Sequence, residues 1–139
     1  MIKFVTTFYL TDDGKNIREE VFVKEQKFVK EFDDIDNSAI HIVMYDDSKA
    51  VACCRIFKGE GKDEYIAGRI AVIKEYRGKH LGQMIMSKID EMVKILGGTK
   101  ISLSAQVRAK GFYQALGYNQ SGDIYYDEYC EHIHMEKSL

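Results

Sequence analysis

The sequence predicts an α+β protein: a central, twisted, mixed but mostly antiparallel sheet of about seven strands, with helices on both faces. Three observations predict it. Short runs rich in β-branched and aromatic residues recur along the chain. One long stretch, beginning at Leu81, carries an apolar face at helical spacing. Glycine and acidic turns, rather than linkers, separate these runs. The chain has 139 residues, no proline, no internal repeat and no low-complexity segment. It is expected to form one domain over 1–139, burying about two thirds of its unfolded surface.

Each element follows from a local pattern. "IKFVTTFYL" (2–10) reads as the first strand. Thr11, Asp12 and Asp13 are N-cap candidates for a helix whose stripe runs Ile17, Val21, Phe22, Glu25 and on to Phe28. "KEFDDIDNSA" reads as a polar, acidic, solvated connection. "IHIVMYD" (40–46) and "AVACCRIF" (50–57) are strands joined by "DSK", short enough for a hairpin, and "EYIAGRIAVI" (64–73) returns as the next. The long helix places Leu81, Met84, Ile85, Ile89, Met92, Val93 and Leu96 on one face, with Gly97 and Gly98 as its stop. "KISLSA" (100–105) is a strand, "VRAKGFYQAL" (107–116) a short helix, and "IYYDE" and "EHIHMEK" are the closing strands.

Composition excludes several classes. A formal charge of −2 gives no support for sequence-independent nucleic-acid binding. No apolar run approaches the roughly 18 residues of a membrane span, and "MIKFVTTFYL" lacks a signal-peptide layout, so a cytoplasmic location is expected. Cys53, Cys54 and Cys130 match neither a disulfide framework nor a zinc spacing, and read as free thiols. His132 and His134 share a strand face but lack a third ligand, so no metal is expected.

The segment "EYRGKHLG" (75–82) stands where a strand gives way to a helix. At such a junction the first helical N–H groups lack internal partners, and the helix dipole adds positive character. Glycine allows close approach to the main chain, and Arg77 and Lys79 add full charges. The combination suits a pyrophosphate. It is not a Walker loop, because Gly78 and Gly82 are only four apart and Gln83 follows. Nor is the dinucleotide fingerprint Gly-x-Gly-x-x-Gly present.

"EYRGKHLG" resembles the acyl-CoA loop of the GNAT superfamily of N-acetyltransferases, Arg/Gln-x-x-Gly-x-Gly/Ala. Arg77, Leu81 and Gly82 match, and His80 occupies the place of the middle glycine. The resemblance spans nearly the whole chain. "VFVKEQ", "DDID", "HIV", "GRIAV", "FYQALGY" and "HIHM" are similar to the ElaA/YjcF-like branch of that superfamily. It implies a V-shaped opening between two parallel strands. The pantetheine arm would run along Ile70, Ala71 and Val72, with a bulge at Gly68, and the diphosphate would sit over the amides of Arg77, Gly78, Lys79, His80, Leu81 and Gly82. Phe112 and Tyr113 would lie near the thioester. His80 is tolerable there only if its Cβ points away and its φ is negative.

Transfer from a thioester to an amine requires loss of the amine's proton, stabilisation of an oxyanion and a proton for the departing thiolate. The resemblance assigns Tyr113 as general acid and the Val72 N–H as oxyanion donor. Glu25 is the candidate base or cation-binding group. His41 and His132 also match family positions but read as structural. Arg55 and Arg69 lie in apolar strands, as ion-pair partners or as anion ligands. The expected activity is acetyl transfer from acetyl-CoA, as cosubstrate, to a primary amine of a small acceptor in a ternary complex, by a monomer or homodimer. A non-catalytic acyl-CoA sensor and a plain protein-interaction module are the alternatives.

Overall fold

The computed structural model describes residues 1–139. Seven strands form one sheet in the order β1-β2-β3-β4-β5-β7-β6. β1 (Ile2–Thr7) is followed by α1 (Asp12–Arg18), and then β2 (Ile40–Asp46), β3 (Lys49–Lys58) and β4 (Glu64–Val72) run antiparallel beside β1. α2 (Leu81–Ile95) crosses to β5 (Lys100–Gln106), the one strand that lies parallel to its neighbour, β4. α3 (Lys110–Ala115) leads to the hairpin of β6 (Asn119–Asp127) and β7 (Cys130–Ser138), and β7 pairs with β5.

The continuous apolar runs of β2 and β3 mark strands covered on both faces, and four to six consecutive residues of each are buried. α1 approaches through Gly14, where a Cβ would stand 3.5 Å from Val43 Cγ2. On α2, the Lys88 ammonium lies 5.5 Å from the centre of the Phe4 ring. Val43 pairs with Val5, the residue next to Phe4, so side-chain alternation puts the two helices on opposite faces. Thr11 caps α1 by accepting from the Gly14 N–H. α2 buries Leu81, Ile85, Met86, Ile89 and Val93, with Met86 on the buried face in place of the expected Met84 and Leu96. Gly97, at φ 82°, ends it.

Four expectations shift. β1 stops at Thr7, which pairs with His41 near the start of β2; Phe8 and Tyr9 therefore have no strand to join and are exposed. The expected helix to Phe28 is α-helical only to Arg18. Glu19–Glu25 winds wider as a π-helix, with the Gln26 N–H on the Val21 carbonyl, five residues back, at 3.0 Å. β6 begins at Asn119 because β7 holds it around a bulge, and its nine exposed residues offered no apolar alternation to read. The β4 bulge lies just past Gly68: Arg55 faces Gly68 and Cys53 faces Ala71, leaving Arg69 and Ile70 opposite Cys54 alone. Arg69, not Gly68, carries the positive φ, 49°.

The acidic connection is not solvated. Glu31 and Asp36 are 4% and 7% exposed and join a cluster of three arginines. Arg18 donates to Glu31 Oε2 at 2.9 Å and to both oxygens of Asp36 at 2.7 and 3.0 Å. Arg55 donates to Asp33 at 2.6 Å and Asp36 at 2.8 Å, and Arg69 to the Glu31 carbonyl at 3.1 and 2.9 Å. Charges placed in apolar strands demand such neutralisation, and the carboxylates come from the connection that crosses them. Burial alone would raise the pKa of Asp36, but hydrogen bonds from Arg18, the Asp33 amide and Arg55 outweigh it and lower it to about 2. For Glu31 burial wins, and its pKa is raised.

Candidate active site

β4 and β5 pair over three residues only, Glu64↔Lys100 to Ile66↔Ser102. Beyond them the strands part, and a cleft of about 400 Å³ opens between Gly68–Val72 on one side and Leu103, Ser104 and Gln106 on the other. The bulge at Arg69 and Ile70 carries β4 away from its neighbour. The Ile73 N–H bonds the Val51 carbonyl on the β3 side at 3.0 Å. Alternation therefore turns the N–H and C=O of Val72 towards the cleft, where the carbonyl accepts from Arg77 Nε at 3.0 Å.

Past β4 the chain makes a short 3-10 turn, Lys74–Tyr76, and enters α2. The main-chain N–H groups of Gly78, Lys79, His80, Leu81, Gly82 and Gln83 donate to no protein acceptor. The helix dipole adds to this row of free donors. Gly78 has φ 80° and His80 φ 65°. The histidine thus keeps glycine's left-handed backbone rather than the negative φ expected of a tolerated side chain, at a cost of roughly 1 kcal/mol. Buried Leu81 anchors the first turn. At Gly82 a Cβ would come 3.1 Å from Phe112 Cζ, so its absence lets α2 start against α3. The Lys79 ammonium lies 4.7 Å from the Tyr76 ring centre, beside the loop.

Arg77 and Glu25 come together. The guanidinium donates to Glu25 through Nη1 at 2.5 Å and Nη2 at 2.7 Å, so Nε and both Nη are engaged at the cleft rather than over the start of α2. Hydrogen bonding from Arg77 holds the Glu25 carboxyl below its usual range. Tyr113 lines the cleft, and its hydroxyl makes no hydrogen bond to the protein. Burial, and then the proximity of Cys54, pushes its pKa up to about 12. Phe112 meets Tyr113 edge-on at 5.1 Å, and its ring edge lies against Gly82.

The remaining candidates have structural partners. His41 Nε2 bonds the Asp36 carbonyl at 2.9 Å. His132 Nδ1 bonds the Cys130 carbonyl at 3.0 Å, and the ring packs against Phe28 and Tyr125 at the cleft wall. His134 faces Glu136 at 3.4 Å. Burial pushes the Cys53 thiol up to about 12 and that of Cys54 well above its ordinary value, so neither supplies a thiolate nucleophile.

Several cleft residues had no local signal in the sequence. Gln106 donates to Gln26 at 2.8 Å, tying the end of β5 to the π-helix. Arg108 donates through Nε to the Gln106 amide oxygen at 2.9 Å. Glu128, at the β6–β7 tip, accepts from the Val29 and Lys30 amides at 2.8 and 2.9 Å. The Gln106–Gln26 and Glu128 contacts join segments that only the fold brings together.

A splayed parallel pair, a strand edge turned to the gap and unpaired helix amides at its end fit the extended chain and diphosphate of coenzyme A. A family model for the acetyltransferase (GNAT) domain matches residues 10–139. The uncharacterized N-acetyltransferase YjcF of Bacillus subtilis is 36% identical, over 90% of this chain and 90% of that protein. The ElaA protein of Escherichia coli is 31% identical, over 88% of this chain and 84% of that protein. The crystal structure of Escherichia coli ElaA superimposes with a TM-score of 0.84 over 99% of each chain, at 28% identity. An acyl-CoA N-acyltransferase from Pseudomonas aeruginosa gives 0.86 over 99% of each chain, at 22% identity, a likeness of fold. The chain belongs to the GNAT acetyltransferase family, in its ElaA/YjcF-like branch, a family that uses acyl-CoA as cosubstrate.

Proposed function

We propose that this protein transfers an acetyl group from acetyl-CoA directly to a primary amine of a small acceptor, both substrates being held at once in the β4/β5 cleft. The observation that carries this reading is the parting of β4 and β5 after three paired residues, with free amides where α2 begins. Ile70, Ala71 and Val72 offer an unpaired strand edge to the pantetheine arm, and Gly78, Lys79, His80, Leu81 and Gly82 hold the diphosphate. Holding donor and acceptor together supplies much of the acceleration by proximity.

The chain's own groups divide the proton work. The Val72 N–H faces the cleft and polarises the thioester carbonyl. Tyr113, with its pKa raised to about 12, keeps its proton at neutral pH and gives it to the leaving sulfur. Glu25 remains ionised across the neutral range, able to accept but weakly basic, which suits passing the amine's proton on through water. Phe112 braces Tyr113 and the first turn of α2. Arg77 holds Glu25 and relinquishes the Val72 carbonyl when the strand edge is used.

Replacing Tyr113 by Phe tests the assignment. Thiol release across an amine panel should fall roughly 10²-fold in kcat, the scale of general acid catalysis, while coenzyme affinity measured by calorimetry stays unchanged. A variant as fast as the wild type would remove Tyr113 as the acid. Absence of coenzyme binding at near-millimolar concentration would remove the enzymatic reading altogether.

A further inference from the structure

Four of the residues lining the cleft are carboxylates: Glu25, Glu31, Asp127 and Glu128. Three of the four already have strong donors. Glu25 is held by Arg77, Glu31 by Arg18 and Arg69, and Glu128 by the amides of Val29 and Lys30. The cations are less fully used. Arg69 spends Nε and Nη2 on Glu31 and Asp33, but Nη1 has no protein partner. Arg108 spends only Nε, on Gln106, and Lys30 makes no ion pair through its ammonium. The cleft thus carries equal numbers of acidic and basic side chains, with donors of Arg69, Arg108 and Lys30 left unused by the protein and Asp127 and Glu128 without a cationic ion-pair partner.

The position of Arg69 sharpens the point. It is the bulged residue of β4, three positions before Val72, in a left-handed backbone that an arginine adopts at a cost. Its guanidinium is fixed by the Glu31 carbonyl and carboxylate, with the side chain 23% exposed. A cleft-lining guanidinium with two nitrogens fastened and the third without a protein partner suits recognition of an oxyanion.

We propose that the acceptor carries an oxyanion group, carboxylate or phosphate, a few bonds from its reacting amine, and that Arg69, supported by Arg108, binds that group. This rests on the acyl-transfer reading above for the amine alone; the anion site can be tested without turnover. Arg69 is a specificity residue, not a proton carrier.

The test uses the wild-type protein saturated with CoA, and calorimetry with three product-like probes: N-acetylglycine, N-acetylglycinamide and N-acetylaminomethylphosphonate. The anionic probes should bind at least about tenfold more tightly than the amide, the scale of one charge-assisted contact. The better of the two identifies carboxylate or phosphate as the natural group. In Arg69→Lys, which keeps a charge for Glu31, the preference should fall below about threefold with amide binding unchanged. Arg108→Gln, at an exposed position, should weaken only the anionic probes. Equal binding of acid and amide by the wild type overturns the proposal, as does an Arg69→Lys variant that loses both probes equally. If the probes are discriminated but no amine is ever acylated, the anion site stands and the transfer reading falls. Acylation of amino acids and their amides at equal rates gives the converse.

Discussion

His80 stands at the start of α2 with φ 65°, a left-handed backbone that glycine adopts without strain. Replacing it with Gly removes about 1 kcal/mol of strain and adds somewhat less in unfolded-chain entropy. His80→Gly should therefore leave the melting temperature unchanged or slightly raised, and tighten CoA. His80→Val, β-branched and ill-suited to this φ, should lower stability by more than about 1 kcal/mol and weaken CoA in the same titration. Glu25→Gln keeps the shape of the side chain but removes the charge that holds Arg77. It should lower kcat by roughly 10²-fold with little change in coenzyme affinity; undiminished turnover would exclude Glu25 as the proton acceptor. At this scale the sequence was partly legible. Tyr113 and the basic glycine loop are recognisable because their signals are local. The Glu25–Arg77 pair was not, because its members are 52 residues apart and sit on elements whose approach no periodicity reports.

Apolar patterning predicts most strands and helices, and the boundaries depart from it where burial does not set them. β6 is wholly exposed and held by backbone pairing alone, and β1 ends where its partner ends. The connection at 30–39 looked solvated because its residues are charged, yet Arg18, Arg55 and Arg69 draw Glu31 and Asp36 inward. Removing one member of such a cluster leaves buried charge unpaired. Arg18→Met should cost about 3–5 kcal/mol by chemical denaturation. Asp36 adds a pH dependence. Its pKa falls from 3.8 to about 2 on folding, so it contributes stability that is fully present above pH 4 and is lost as pH falls through 2. After allowance for solvent screening the loss is about 1–2 kcal/mol. The raised pKa of Glu31 acts oppositely, favouring the folded state as acid first protonates it. Denaturation midpoints should hold until about pH 4 and then drop, and Asp36→Asn, less stable at pH 7, should lose less over the acid range. An unaltered acid slope in that variant would show that Asp36 does not carry the effect.

At the scale of the whole molecule, one sheet changes direction once. The meander β1 to β4 and the β5–β7–β6 unit meet along a parallel seam of three residue pairs, and the seam's failure beyond Ile66 and Ser102 makes the cleft. No helix of the chain is long and apolar enough to cross a membrane. The seam was visible in the sequence only through the family resemblance, since parallel pairing depends on which distant strands become neighbours. Apolar patterning identifies its residues on the β4 side, Gly68 to Val72, as a strand, and only the resemblance marks them as an open edge. On the reading proposed above, this edge and the amides at the start of α2 together receive the acyl-CoA. A crystal structure of the complex tests it most directly. The pantetheine amides should bond to the main chain of Ile70–Val72, the Arg77 Nε should leave the Val72 carbonyl, and diphosphate oxygens should lie within hydrogen-bond distance of the Gly78–Gln83 amides. Coenzyme seated elsewhere, with those amides bare and Arg77 still on Val72, would contradict it.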